Sequence, residues 1–159
     1  MKNLLFLVIS LFLMPSCMQS RIVVEEGNLP EDVFYLPNQL KPYTGKCVVY
    51  YSGTQLFKEE MTFREGILNG IYISYYKNGN IKRKGEYKDG KLNGSWQSWT
   101  SDGDKIYEVH YQNDTLSGNY ISWYETGVIK ERGEYAENRK KGVWVEYDEA
   151  GMIIRKKNF

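Results

Sequence analysis

A block of 24 residues recurs along the sequence, and it restricts the folds that the chain can adopt. One complete block spans residues 70–93, and its glycine and aromatic positions return at the same step. Self-similarity at a fixed step of this size is typical of repeat proteins, in which each unit packs only against its neighbours. The columns that keep the step are Gly70, Gly94, Gly118 and Gly142; Tyr72, Trp96, Tyr120 and Trp144; and Tyr75, Trp99, Trp123 and Tyr147.

Two turn signals inside the block predict hairpins. They are Asn78-Gly79 and Asp89-Gly90, dipeptides suited to a type I′ turn, which needs positive φ at both central residues. Asp114 and Asn138 replace Gly90 in later copies, and both residue types tolerate left-handed backbone. We therefore expect an all-β fold, an elongated single-layer antiparallel β-meander of tandem hairpin repeats with about ten strands.

A two-residue turn at each site fixes which residues oppose one another. Both turns then place the same set of aromatic residues and glycines on one face. An aromatic ring opposite a glycine covers bare backbone. The predicted pairs are Tyr76–Ile81, Ser74–Arg83 and Tyr72–Gly85 at the first turn, Tyr87–Leu92 and Gly85–Gly94 at the second, and Tyr120–Gly133 and Trp96–Val109 in later copies.

The column of Tyr75, Trp99, Trp123 and Tyr147 falls on the opposite face and allows two interpretations. In the first, the rings form a ladder that stabilises the sheet by stacking along the row. In the second, they form a flat surface that binds a protein or a glycan. We take this column as the candidate binding face.

The first residues read as an export signal. Lys2 precedes Leu4–Met14, an apolar run of 11 residues, which is too short to span a bilayer. Ser16-Cys17 follows directly, and this arrangement resembles a bacterial lipoprotein signal. The resemblance implies cleavage before Cys17, acylation of its thiol and anchoring in the cell envelope, at the outer membrane in a Gram-negative source. An ordinary secretory signal is the alternative.

The remaining chain divides into an entry segment and the repeats. Residues 1–16 are the predicted signal peptide, 17–42 a lipidated tether and N-terminal capping segment, and 43–159 the repeat domain. Within the entry segment, Val33–Leu36 is a candidate first strand, and Met18–Asn28 shows no strong structural signal. The predicted repeats are 45–69, 70–93, 94–117, 118–141 and 142–159.

The charge pattern argues against nucleic acid as a partner. Loss of Lys2 with the signal changes the net charge from +1 to 0, and a neutral protein has little long-range attraction for polyanions. We interpret the local basic clusters as lysines that protect sheet edges. These clusters are Lys82-Arg83-Lys84, Arg139-Lys140-Lys141 and Arg155-Lys156-Lys157.

No constellation of catalytic or metal-binding residues is apparent. His110 is the single histidine and falls among charged residues, where we expect it to be solvated. Cys47 stands in the column of Tyr72, which predicts a packing role and leaves an intermolecular disulfide open. We therefore expect no enzyme activity, no metal and no cofactor.

Three stretches resemble a known family. Tyr43-Thr44-Gly45, Tyr75–Trp96 and Trp123–Tyr135 are similar to the variant MORN repeat, found in bacterial proteins of the YwqK-type antitoxin-like family. The resemblance implies a hairpin-repeat fold over residues 43–159. It leaves two functions open: a membrane-anchored module that binds or scaffolds proteins in the envelope, and an immunity or antitoxin protein that neutralises a toxin. The partner protein and the oligomeric state are not determined by the sequence.

Overall fold

The computed structural model describes residues 21–24, 33–36 and 38–159. In these ranges the regular secondary structure is β-strand, and no helix there is long and apolar enough to cross a membrane. The predicted signal peptide at 1–16 and the predicted lipidation site Cys17 lie outside the described residues. Both therefore stay predictions.

The described chain forms one open sheet of eleven strands, whose order in the sheet follows their order in the sequence. Strand β1 runs parallel to β2, and all later neighbours are antiparallel. The predicted all-β, single-sheet meander of tandem hairpins is confirmed, except for its parallel first strand. The strands are β1 Arg21–Val24, β2 Gly45–Tyr50, β3 Phe57–Arg64, β4 Ile67–Tyr75, β5 Ile81–Lys88, β6 Lys91–Trp99, β7 Lys105–Gln112, β8 Thr115–Trp123, β9 Ile129–Ala136, β10 Arg139–Tyr147 and β11 Ile153–Asn158.

The first strand lies earlier in the chain than the sequence predicts. Arg21–Val24 forms β1, inside a segment that we expected to lack structure, with Ile22 opposite Cys47. Val33–Leu36 forms no strand, although Tyr35 makes an isolated bridge to Pro42. A parallel strand needs no hairpin turn, so the turn signals that locate the other strands gave no indication of β1.

A hydrophobic core lies at the N-terminal end of the sheet. Phe34 and Tyr43 pack edge to face, with ring centroids 5.5 Å apart. Phe63 packs against Phe34 in a tilted arrangement, with ring centroids 5.1 Å apart. Because a single sheet leaves its faces open, this cluster, which includes Phe34 from outside the strands, covers one face of the first strands. The buried members are Ile22, Val24, Phe34, Tyr43, Cys47, Val49, Met61 and Phe63.

The Asp89-Gly90 turn has the predicted type I′ backbone. Its φ angles are +49° and +80°, which is the positive pair that this turn requires. Asp114 and Asn138 adopt φ of +65° and +64° at the position of Gly90, as expected. The Asp114 carboxylate also accepts a hydrogen bond from the N–H of Leu92 at 2.7 Å. This bond connects the turn at Asp114 to the strand that follows the Asp89-Gly90 turn.

The Asn78-Gly79 turn is longer than predicted. Gly79 donates its N–H to the carbonyl of Tyr76 at 3.0 Å, and Tyr76 donates its N–H to the carbonyl of Asn80 at 2.8 Å. Within this turn, Gly79 alone has positive φ, at +89°. These bonds and this φ angle are those of a type I turn followed by a left-handed glycine bulge. The pairs across this turn are Tyr75–Ile81 in place of the predicted Tyr76–Ile81, and Ser74–Arg83 and Tyr72–Gly85 as predicted.

The recurring glycines lie in bulges, which shift the register in each block. The pairing jumps from Glu86–Asn93 to Lys84–Gln97, so the predicted pair of Gly85 with Gly94 is wrong. A bulge inserts unpaired residues and commonly needs a glycine with positive φ. The predicted pairs Tyr87–Leu92, Trp96–Val109 and Tyr120–Gly133 are confirmed. The bulge glycines and their φ values are Gly70 at +115°, Gly94 at +75°, Gly118 at +110° and Gly142 at +65°.

Candidate interaction surface

The two faces of the sheet carry different sets of aromatic residues, because successive side chains of a strand alternate between faces. We call the first set the packed face and the second set the aromatic surface. The packed face comprises Tyr72, Tyr87, Trp96, Tyr111, Tyr120, Tyr135, Trp144 and Phe159. The aromatic surface comprises Tyr75, Trp99, Trp123 and Tyr147.

Two tryptophans organise the packed face. Trp96 stacks on Tyr72 with ring centroids 5.7 Å apart, and Trp144 stacks on Tyr120 at 5.4 Å. Trp96 is 9% exposed and Trp144 is 3% exposed. Aromatic pairs at such separations add stability beyond the area that they bury. The column of Tyr72, Trp96, Tyr120 and Trp144 therefore supplies structure.

Each buried tryptophan lies against a glycine of the preceding strand. A Cβ added to Gly85 would stand 2.3 Å from Trp96 ring atoms, and one added to Gly133 would stand 2.3 Å from the Trp144 ring. The Trp96 Nε1–H donates to the carbonyl of Glu86 at 3.1 Å. The sequence correctly paired Tyr72 with Gly85, but the ring over this glycine belongs to Trp96.

The residues of the aromatic surface are half-buried and are not stacked on one another. Among the described residues, Trp99, Trp123 and Tyr147 make no ring contact with each other, so the predicted ladder of stacked rings is wrong. The physical reason is distance, because residues of this column are two strands or ~9.6 Å apart, beyond the reach of ring pairs. No glycine between them lets the rings lean together, as Gly85 does on the packed face.

Cationic side chains lie beside the rings of this surface. The Lys105 Nζ is 5.1 Å from the centre of the Trp123 ring, and the Arg132 guanidinium is 5.6 Å from the centre of the Tyr147 ring. Cations at these distances are attracted by the negative ring face. At the N-terminal end, the Tyr75 hydroxyl donates to the Glu60 carboxylate at 3.0 Å.

A hydrogen-bond network holds Lys105 in place. Glu108 accepts bonds from the Lys105 Nζ at 2.8 Å, the Gln97 Nε2 at 3.0 Å and the Ser95 Oγ at 3.1 Å. These three hydrogen bonds stabilise the carboxylate and therefore lower the pKa of Glu108. The bond from Lys105 has the largest effect. Lys105 is therefore fixed between Glu108 and Trp123, and sequence reasoning did not identify this centre.

A shallow depression adjoins the network. Its volume is about 350 Å³, and His110 on its rim is exposed, as predicted. No group of three or more His, Cys, Asp or Glu residues in the described ranges could hold a metal ion. The residues that line the depression are Ser95, Glu108, Val109, His110, Gly118, Asn119 and Ile121.

Cys47 is a core residue. Its side chain has no exposed area, and it lies opposite Ile22 on one side and Met61 on the other. Burial, with a smaller influence from Glu59, raises the pKa of its thiol to about 12. The packing role agrees with the prediction, whereas the intermolecular disulfide left open by the sequence is not compatible with this burial.

Only one of the three basic clusters lies on an edge strand. Lys82-Arg83-Lys84 is on β5 and Arg139-Lys140-Lys141 on β10, each between two neighbouring strands. Their predicted role as edge protection is therefore wrong. Lys140 instead covers the packed face, with its Nζ 3.7 Å from the centre of the Trp144 ring. Arg155-Lys156-Lys157 does lie on the edge strand β11.

Comparison with known families identifies the repeat. Residues 68–89, 92–113 and 116–137 each match the family model described as MORN repeat variant, so the predicted resemblance is confirmed for these three tandem segments. Their starts are 24 residues apart, as the sequence predicts. MORN repeats are generally modules that bind proteins or membranes. A search of curated proteins found none that matches this chain.

Proposed function

We propose that this protein is a non-catalytic protein-binding module, held at an envelope membrane by a lipid on Cys17. The aromatic surface is the observation that carries the proposal. Trp99, Trp123 and Tyr147 stay half-exposed and take no part in ring stacking, whereas the aromatic residues of the packed face are in mutual contact. One aromatic column of the repeat therefore packs the sheet, and Trp99, Trp123 and Tyr147 of the second column are available to a partner.

The chemistry of this surface suits a protein partner. Binding energy at protein interfaces concentrates in tryptophan, tyrosine and arginine side chains surrounded by polar groups. Trp99, Trp123 and Tyr147 recur every second strand, with Lys105 and Arg132 beside two of them. A row of aromatic side chains ~9.6 Å apart matches an extended protein surface better than a small ligand, which needs an enclosing apolar pocket.

The position of β1 supports attachment close to the membrane. β1 begins at Arg21, four residues after Cys17, and four residues reach at most ~14 Å. The predicted tether over 17–42 is shortened by this strand. On this proposal the N-terminal end of the sheet stands near the lipid surface, and β11 lies roughly 48 Å away along the row of strands.

An immunity or antitoxin function is the second candidate, and the resemblance to the YwqK-type antitoxin-like family favours it. In that case the partner is a toxin that binds the same surface. The two candidates differ in the partner, since only a toxin harms the cell when it is expressed without this protein.

Affinity capture from envelope extracts tests the proposal. The wild type is compared with the double variant Trp99→Ala/Trp123→Ala and with the matched control Tyr107→Ala. Tyr107 lies two residues before Val109, which pairs with Trp96, so its side chain is on the packed face. We expect one partner, identified by mass spectrometry, to be retained by the wild type and by Tyr107→Ala and lost from the double variant. Identical protein sets from all three would refute the proposal.

Metabolic labelling tests the anchor separately. Cells that express the protein are fed an alkyne analogue of palmitate and then fractionated. We expect label and membrane association in the wild type and neither in Cys17→Ser. A Cys17→Ser variant that keeps the label would remove this part of the proposal and leave the binding surface unaffected.

A further inference from the structure

Strand β11 has a neighbour on one side only within the part of the chain that the structure describes. Gly142 and Phe159 exchange two hydrogen bonds, from Gly142 N–H to Phe159 carbonyl at 3.2 Å and from Phe159 N–H to Gly142 carbonyl at 3.0 Å. Bonding direction alternates along an antiparallel strand. The N–H and C=O groups of Lys156 and Asn158 therefore point away from β10 and are available to a further strand.

The side chains of this edge are exposed and basic. Ile153 and Ile154 are 61% and 62% exposed. Arg155 is paired with Glu146 at 3.3 Å, whereas Lys156 has no ion-pair partner among the described residues. Unpaired backbone groups at a sheet edge are a template for a further strand, and lysines on the edge oppose pairing. Because like charges across a strand pair repel and opposite charges attract, these lysines disfavour a basic strand more than an acidic one.

We propose that β11 binds an extended acidic segment of a partner protein as a twelfth, added strand. The outward backbone groups of Lys156 and Asn158 form the ladder, and carboxylates of the segment lie across from the basic side chains. Main-chain bonds supply affinity in this mode, and alternate side chains supply selectivity. This site goes beyond the proposed function, because it lies on the sheet edge and not on the aromatic surface.

A second copy of this chain is disfavoured as the occupant by charge. Outward-facing residues of one strand lie opposite outward-facing residues of the other. Antiparallel pairing of two β11 strands would therefore set either Lys156 opposite Lys156 or, in the adjacent register, Arg155 opposite Arg155. Like charges directly opposite destabilise a strand pair. An acidic segment reverses this effect, and its binding should weaken as salt is added.

A peptide titration tests the proposal. The probe is a fluorescein-labelled, end-capped peptide of alternating valine and glutamate, six residues long to match β11, followed by anisotropy with the purified protein. The comparison peptide replaces glutamate with lysine. We expect saturable binding of the acidic peptide that weakens with salt, and no binding of the basic one.

Two variants separate backbone pairing from general attraction. Lys156→Pro removes an outward N–H, which an edge strand tolerates, and Lys156→Glu reverses one charge. Lys84→Glu is the matched control, because Lys84 occupies the same column on the interior strand β5. We expect both Lys156 variants to weaken binding by about tenfold or more, with unchanged melting temperature, and Lys84→Glu and Trp99→Ala/Trp123→Ala to bind as the wild type does.

The proposal is overturned if the acidic peptide does not bind at its highest soluble concentration, or if Lys156→Pro binds it with wild-type affinity. It is also overturned if Lys84→Glu weakens binding as much as Lys156→Glu, which indicates general charge attraction. Concentration-dependent dimers in sedimentation that Lys156→Pro abolishes would identify a second copy as the occupant instead.

Discussion

The indole of Trp96 lies directly on the backbone of Gly85, one strand earlier in the sheet. The gap left by the missing side chain lets this ring lean across β5 and stack on Tyr72, which is two strands away. The same arrangement returns with Gly133, Trp144 and Tyr120. Val109 occupies the glycine position in the copy between them, so ring packing repeats at twice the sequence step.

Filling the space at Gly85 should destabilise the sheet. Gly85→Val places atoms where the Trp96 ring now lies, and overpacking of this kind lowers the free energy of unfolding by about 2–3 kcal/mol. The double variant Gly85→Val/Trp96→Tyr recreates the natural combination of Val109 with Tyr120. We expect the double variant to lose less free energy of unfolding, by ~1 kcal/mol or more, than the sum of the losses of the two single variants, as measured by urea titration. Strict additivity would contradict this packing relationship.

The tryptophans of the two faces should differ in their effect on stability. Trp144→Ala removes a buried ring and should lower the free energy of unfolding by about 3–5 kcal/mol. Trp123→Ala removes a half-exposed ring and should lower it by roughly 1 kcal/mol. Urea titrations of both variants check this, and equal losses would show that Trp123 is also a core residue.

The Cys47 thiol should be inert while the protein is folded. It has no exposed area, and burial raises its pKa to about 12, so almost no thiolate is present near neutral pH. In a Cys17→Ser background, we expect a thiol reagent such as dithionitrobenzoate to react at pH 8 only after urea is added. Rapid reaction of the native protein would place Cys47 at an accessible site.

Stability should fall at alkaline pH. The Cys47 pKa rises from 9.0 to about 12 on folding, and that of Tyr72 from 10.0 to about 12. The contribution of each neutral group is fully present below its unfolded pKa and is lost between that value and 12, because only the unfolded chain ionises there. The slope is at most ~1.4 kcal/mol per pH unit for each group.

A Cys47→Ala variant isolates the thiol. It is less stable at all pH values because of the lost packing, but its stability should decline less steeply between pH 9 and 10 than that of the wild type. Urea midpoints measured across this range provide the comparison. If the stability of both proteins declined equally with pH, groups other than the Cys47 thiol would account for the loss of stability at alkaline pH.

The strand ladder from β2 onwards could be predicted because each hairpin carries its own turn signal. Asn-Gly is compatible with both a two-residue type I′ turn and a type I turn with a glycine bulge, so the loop at Asn78-Gly79 was assigned the wrong length. β1 was missed because a parallel strand is connected without a hairpin; its β-branched run Ile22-Val23-Val24 was the only local signal.

The candidate surface was predictable in part. The column of Tyr75, Trp99, Trp123 and Tyr147 follows from the repeat step, and the structure places all four half-buried. The position of Lys105 over Trp123 depends on a bond to Glu108 within the same strand and on contacts from β6 and β8. Such cross-strand relationships depend on register, and the bulges alter the register in ways that periodicity does not show.

Site-specific photo-crosslinking in living cells tests the proposed binding surface most directly. A benzophenone amino acid is placed at Trp123 on the aromatic surface or at Tyr107 on the opposite face, and the products are identified by mass spectrometry after irradiation. Our account predicts that one partner protein is crosslinked from position 123 and not from position 107. Crosslinking of the same partner from position 107 alone would contradict the assignment of the aromatic surface as the binding site.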